Sequence, residues 1–148
     1  MGKVAQMLVR PDDGQVADLG LVRMRVLAAG DADTRRKFTL AEFTGGGGVW
    51  TVPHVHQAME ESFFVLDGDF TFTCGEEVIP VSAGSYILVP RGIKHMIHAE
   101  GVGGRLLTLM VPGGLEEMFF ELARLAPGAL TDPDVRAAIS ARYDSTPC

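Results

Sequence analysis

The chain has 148 residues, 47% of them hydrophobic, and a formal net charge of −6. This length supports one domain with a sizeable core and is short for two. The acidic balance, without a cluster of lysine and arginine, argues against a nucleic-acid-binding surface, and no apolar run approaches the roughly 18 residues of a membrane span.

The first three quarters of the chain predict short strands. The N-terminal twenty residues are ambiguous and allow an edge strand or a strand exchanged with another copy. Beyond them, alternating apolar and polar residues predict strands at 21–28, 36–43, 61–68, 69–75, 85–90, 94–99 and 105–111. Glycine-containing pairs typical of tight turns separate these segments. Short strands without intervening helices favour an antiparallel sandwich or barrel.

The period of the pattern changes near the C-terminus. Apolar residues recur with the spacing of one helix face at Leu115, Met118, Phe119 and Leu122. This spacing predicts a helix over 114–125. A second helix is predicted from Pro133 to about Tyr143, with Thr131 or Asp132 as its N-cap.

Two of the four histidines stand one residue apart, in the stretch 51–61, TVPHVHQAMEE. Residues i and i+2 of a strand point to the same face, so His54 and His56 are expected to lie side by side. Glu61 opens the next predicted strand after a connection that allows the chain to reverse. His95 begins another predicted strand, after a Pro-Arg-Gly turn.

Three imidazoles and one carboxylate that converge in a barrel predict a site for one divalent transition metal. Neither cysteine is near these positions, so ions that prefer thiolates are disfavoured. Fe, Mn, Ni, Cu, Co and Zn all remain admissible. Four protein ligands leave one or two positions open on a five- or six-coordinate ion.

The spacing of these residues resembles the two signature motifs of the cupin superfamily. The matching patterns are Gly48-x5-His54-x-His56-x4-Glu61-x6-Gly68 and Gly84-x5-Pro90-x-Gly92-x2-His95. The resemblance covers roughly residues 35–112. It departs from the family at Ala99, where the second motif usually ends in asparagine.

The resemblance implies an all-β fold, the cupin β-barrel or jelly-roll sandwich, closed around a single metal. Its metal ligands would be His54, His56, Glu61 and His95, and its turn positions Gly68, Gly84 and Gly92. The barrel is expected to occupy residues 1–112, with its core motifs at 48–99, and a helical extension packed on it is expected at 113–148.

Two residues near the motifs are excluded as metal ligands. Only Glu61, and not Glu60, keeps the motif's six-residue gap to Gly68. His98 lies three residues after His95, and in a regular strand an odd separation places two side chains on opposite faces.

An apolar substrate pocket is expected around the metal. Trp50 and Val52 share the parity of the histidines, Phe63 follows Glu61 on the same strand face, and Met59 lies close in sequence. The 114–125 helix either covers the barrel mouth or fills the core.

The sequence looks similar to small quercetin-dioxygenase-type cupins, which implies a dioxygenase-like oxidoreductase acting on an aromatic, flavonol-like or polyketide-like substrate. Glu61 would then be both ligand and general base. Two alternatives remain open: a non-redox metal-dependent cyclase or isomerase, as in cupin polyketide cyclases, and a non-catalytic binding module.

The remaining expectations concern assembly and location. The N-terminal segment is expected to pair with a sheet edge of a second copy and form a homodimer. The first ten residues lack the apolar core of a signal peptide, and Cys74 and Cys148 make no disulfide framework, so a cytoplasmic location is expected.

Overall fold

The computed structural model describes residues 6–148, which form two antiparallel sheets and four α-helices. The strands are, in chain order, β1 (Val16–Asp18), β2 (Val22–Ala28), β3 (Thr39–Gly45), β4 (Gly48–Val55), β5 (Glu60–Asp67), β6 (Asp69–Cys74), β7 (Glu77–Ser82), β8 (Tyr86–Val89), β9 (His95–Ala99), β10 (Gly104–Val111) and β11 (Thr146–Pro147).

The helices are α1 (Gly30–Thr34), α2 (Glu116–Ala123), α3 (Pro127–Leu130) and α4 (Pro133–Ser140), and a 3-10 turn, Ala141–Tyr143, follows α4. Asp132 is the N-cap of α4 and accepts hydrogen bonds from two backbone N–H groups of its first turn. Within residues 6–148, no helix is long and apolar enough to cross a membrane.

The six-stranded sheet has the order β1-β2-β3-β10-β5-β8, and the five-stranded sheet has the order β11-β4-β9-β6-β7. All neighbouring strands are antiparallel. The predicted class, an antiparallel sandwich or barrel followed by helices, is therefore confirmed.

The core has two parts. One lies between the sheets and consists of Phe63, Val65, Phe70, Phe72, Val89, Ile97, Ala99 and Leu106. The other joins the inner face of β2 and β3 to the helices and includes Met24, Phe43, Met110, Met118, Leu122 and Ile139. Trp50 packs against both parts, and its indole contacts Phe70 edge to face at 4.9 Å. One end of the six-stranded sheet is thus covered by strands and the other end by helices.

The three predicted turn glycines adopt a left-handed backbone conformation. The φ angles of Gly68, Gly84 and Gly92 are 84°, 91° and 78°, a region that favours glycine. At Gly68 space is also limiting, because a Cβ there would lie 2.4 Å from the Gly103 carbonyl oxygen. Gly68 therefore makes the tight turn between β5 and β6 possible.

The structure adds three strands to those predicted from the sequence, β4, β7 and β11. The strand predicted at 36–43 begins only at Thr39, because Arg35 and Arg36 have positive φ angles. The predicted boundary near residue 112 falls between β10 and α2; the division of the chain there stays a prediction.

The N-terminal segment contributes β1, the edge strand of the six-stranded sheet, which pairs with β2 of the same chain. Residues 1–5 lie outside the described part. The prediction that this segment pairs with a second copy stays a prediction.

Candidate metal centre

The four predicted ligands come from both sheets. His54 on β4 is directly opposite His95 on β9 in the five-stranded sheet, and His56 follows the end of β4. Glu61 lies on β5 in the six-stranded sheet, between Met110 of β10 and Val89 of β8. The site therefore bridges the two layers of the barrel.

The structure brings the four side chains together. One ligand atom from each of them lies within 4.8 Å of the others, and all four residues are buried. The carboxylate oxygen Oε1 of Glu61 is 3.4 Å from His95 Nε2 and 3.6 Å from His56 Nε2. The ring centroids of His54 and His95 are 4.2 Å apart.

Each imidazole uses its Nδ1 to contact a backbone carbonyl. His54 Nδ1 is 2.7 Å from the Val52 oxygen, and His95 Nδ1 is 3.0 Å from the Ile93 oxygen. His56 Nδ1 is 2.8 Å from the oxygen of Asp144. A carbonyl only accepts, so we assign the N–H of each ring to Nδ1, which leaves the Nε2 lone pairs of His56 and His95 facing Glu61.

The electrostatic environment differs between the neighbouring histidines. Burial, reinforced by His95, lowers the pKa of His54 to about 4. Burial also opposes the charge on His56, but the nearby carboxylate of Glu61 and the carbonyl of Asp144 outweigh it and raise the pKa of His56. For Glu61, burial is outweighed by the two imidazoles at His56 and His95, which lower the pKa to about 2.

These residues fit a divalent transition metal. His56 Nε2 is buried without a hydrogen-bond partner. In the assigned tautomer, the Nε2 lone pair of His95 faces a carboxylate oxygen, and two acceptors this close require a proton or a metal ion between them. Three imidazole nitrogens and one carboxylate oxygen suit Fe, Mn, Ni, Cu, Co or Zn.

The two residues that the sequence excluded as ligands lie outside the cluster. Glu60 forms an ion pair with Arg91 at 3.0 Å, on the outside of the barrel. His98 Nδ1 lies 3.0 Å from a carboxylate oxygen of Glu100.

A cavity of about 490 Å³ extends from the ligands, and His54, His56 and Glu61 line it. Its volume is within the ~300–1,000 Å³ of small-molecule pockets. Trp50, Val52 and Phe63 also line it, Val52 with more than half of its surface exposed.

Met59 is not among the residues that line the cavity. It is 5% exposed and packs in the part of the core next to the helices. Its closeness in sequence to the ligands therefore does not place it in the cavity wall, because side-chain direction and not sequence distance decides which residues face a site.

Helices and the C-terminal residues form the outer wall of the cavity. The contributing residues there are Leu115, Met118, Phe119, Leu122, Thr131, Pro133, Arg136, Ala137, Ser140, Ser145, Pro147 and Cys148. The sequence predicted the apolar face of α2 and left open whether it covers the barrel mouth or fills the core. It did not predict the contribution of α4 or of residues 145–148. Thr108, on β10, also lines the cavity and has a buried hydroxyl without a hydrogen-bond partner.

The family-model match and the similar curated proteins agree with each other. The Cupin domain family model matches residues 40–112. The chain is similar to the quercetin 2,3-dioxygenases of Aspergillus japonicus, 28% identical over 87 residues, and of Bacillus subtilis (strain 168), 26% identical over 95 residues. These matches cover 55% and 64% of this chain but only 25% and 28% of the relatives, so the chain spans about a quarter of their length.

Solved structures share the architecture. KdgF from Halomonas sp. matches with a TM-score of 0.67 and 16% identity, over 76% of this chain and 99% of that one. Pac13, a nucleoside dehydratase of Streptomyces, matches with a TM-score of 0.63 and 13% identity, over 76% and 88%. At these identities the likeness shows the fold alone.

Proposed function

The chain belongs to the cupin superfamily, as its two histidine motifs predicted, and on this premise we propose that it is a metal-dependent dioxygenase-like enzyme for a small aromatic, flavonol-like or polyketide-like substrate. The observation that carries the proposal is the position of the ligand cluster, which lies against a cavity with mostly apolar walls.

The proposed metal would be held by His54, His56, Glu61 and His95. When bound, a redox-active divalent ion supplies the electron transfer that a reaction between O₂ and an organic substrate requires. Each of the three imidazoles is held by a backbone carbonyl at its Nδ1, on the side away from the proposed metal. Glu61 is therefore the proposed ligand whose side chain is most free to move.

Glu61 is proposed as the proton acceptor of the reaction. The imidazoles of His56 and His95 keep this buried carboxylate ionised at neutral pH. Hydroxyls of enols and phenols are more acidic than those of aliphatic alcohols and are the ones a carboxylate deprotonates more readily, which is the basis for proposing a flavonol-like or polyketide-like substrate.

The cavity walls are proposed to bind the apolar body of this substrate and exclude water from the reacting end. Trp50 and Phe63 line the cavity from the barrel side, and Phe119 lines it from α2. Aromatic walls favour flat ring systems through stacking and edge-to-face contacts.

A non-redox alternative uses the same residues. The ligand set also suits a Lewis acid that polarises a carbonyl, and similar folds include a nucleoside dehydratase. A cyclase or isomerase would therefore need no O₂, and a non-catalytic binding module would turn over no substrate.

The decisive experiment measures O₂ uptake with quercetin by protein reconstituted separately with Fe, Mn, Ni, Cu, Co and Zn. We expect uptake with at least one redox-active ion and none with Zn. The Glu61→Gln variant should keep much of its metal and lose roughly 10²- to 10⁴-fold in turnover, the usual contribution of proton transfer. Glu60→Gln is the matched control and should behave as the unaltered chain. Turnover of a carbonyl substrate by the Zn form without O₂ would favour the Lewis-acid alternative.

We further propose a cytoplasmic homodimer. Support for the dimer comes from β1, an edge strand with Val16 exposed, since such edges tend to pair. The two free cysteines support a reducing location. Light scattering that gives a monomer mass at micromolar concentration would contradict the dimer.

A further inference from the structure

The carbonyl acceptors of the three imidazoles differ in origin. His54 and His95 each use a carbonyl two residues earlier in the chain. His56 uses the carbonyl of Asp144, 88 residues away. The orientation of one ligand therefore depends on the C-terminal segment.

Asp144 also holds the backbone that follows His56. Its two carboxylate oxygens accept hydrogen bonds from the N–H groups of Gln57 at 2.8 Å and Ala58 at 2.9 Å. Asp144 thus contacts the His56 ring through its carbonyl and the backbone after His56 through its carboxylate. Because both groups belong to one residue, the carboxylate contacts also fix the position of the carbonyl.

The backbone at Asp144 suits aspartate. Its φ of 55° and ψ of 40° are left-handed, a conformation that Gly, Asn and Asp adopt most readily. Most other side chains there would strain the turn that points the carbonyl at His56.

Neighbouring contacts fix the segment on both sides of Asp144. Before it, the Tyr143 hydroxyl donates to Glu121 of α2 at 2.5 Å, and Arg142 pairs with the same carboxylate. After it, β11 pairs with β4, with Pro147 opposite His54. Asp144 is therefore held in place rather than carried on a free end.

We propose that Asp144 is a positioning residue for His56: its carboxylate, anchored on the N–H groups of Gln57 and Ala58, holds its carbonyl against the His56 ring and so fixes the Nδ1–H tautomer and the direction in which Nε2 points. The proposal rests on the proposed metal site. Residues behind metal-binding histidines typically contribute 10- to 100-fold to metal affinity, although Asp144 would touch neither metal nor substrate.

The test is a Co²⁺ titration of the metal-free, full-length chain, read from the visible spectrum of the bound ion. In Asp144→Gly the left-handed backbone is kept and the carboxylate is lost. We expect Co²⁺ binding to weaken about 10- to 100-fold and the spectrum to change as His56 disengages. Asp144→Asn, which keeps one acceptor, should recover part of the loss.

Asp132→Gly is the matched control, because Asp132 also accepts from two backbone N–H groups but contacts no ligand. Its Co²⁺ affinity and spectrum should stay unchanged even where its melting temperature falls. Unchanged affinity and spectrum in both Asp144 variants would overturn the positioning role alone. Failure of the unaltered chain to bind Co²⁺ would overturn the proposed metal site and this role with it.

Discussion

His54 and His56 stand two residues apart, yet the protein supports them in different ways. His54 is oriented by its own strand, through the Val52 carbonyl, whereas His56 is oriented by a residue from the other end of the chain. Their protonation also diverges, because Glu61 lies beside His56 while His54 faces another imidazole. Neighbouring ligands in one motif can thus depend on unrelated parts of the structure.

The largest effect is expected when His54 and His56 are both removed. In His54→Ala/His56→Ala we expect metal content to fall from one ion per chain to the background level, because only His95 and Glu61 remain. Elemental analysis after reconstitution measures this. His98→Ala, which removes a histidine outside the cluster, should retain one ion. Full occupancy in the double variant would refute the ligand assignment.

The second prediction distinguishes His54 from His56 by how the stability of the metal-free protein depends on pH. The folded-state pKa of His54 is about 4, against 6.5 normally, so the unfolded chain binds more protons between these values. Stability therefore falls as pH drops from 6.5 to 4, by on the order of 3 kcal/mol from this group. His54→Gln should flatten that fall, measured as the free energy of unfolding in urea at each pH.

At His56 the free energy of unfolding should depend on pH in the opposite direction. Its pKa is raised in the fold, so it contributes stability that is fully present below pH 6.5 and lost as pH rises through the folded value. His56→Gln should remove this loss on the alkaline side and leave the fall between pH 6.5 and 4. Identical pH profiles for the two variants would contradict the divergence.

A milder change loosens only the C-terminal segment that orients His56. Tyr143→Phe removes the hydroxyl that Glu121 accepts, while Arg142 still holds the segment. We expect Co²⁺ affinity to weaken a few-fold, less than in Asp144→Gly, with a cost of roughly 1 kcal/mol in stability. The exposed Tyr86→Phe serves as the control and should leave Co²⁺ affinity unaltered.

The smallest effect is expected at the Thr108 hydroxyl, which like His56 Nε2 is a buried side-chain atom without a partner among residues 6–148. Thr108→Val removes a hydroxyl that gains nothing from the fold, so stability should stay within about 1 kcal/mol or rise. Metal content should be unchanged, unlike in any His56 variant. A large loss of thermal stability would show that this hydroxyl has a partner.

Most of the fold could be predicted from local sequence patterns. Alternation and turn glycines predicted seven of the strands, because those segments bury one face. β7 was missed because Pro80 interrupts it and its residues are mostly exposed at the sheet edge. β11 is too short to show a period.

The cluster of His54, His56, Glu61 and His95 was predictable because the spacing of these residues lies within two short motifs. Asp144 was not, since no spacing rule connects it to His56 across 88 residues. Met59 packs in the core next to the helices, and its place in a substrate pocket stays a prediction, because closeness along the chain does not fix the direction of a side chain. Residues 145–148 were missed as cavity wall because they reach it only through the pairing of β11 with β4.

The division of the cavity wall has an evolutionary consequence. The four candidate metal ligands lie within residues 54–95, whereas most of the outer wall of the cavity comes from residues 115–140. Mutations in the helical stretch can therefore reshape the cavity without disturbing the candidate ligands, so selection can change the shape of the cavity while the four-residue cluster is kept. Asp144 is the exception, since a change there reaches the cluster through His56.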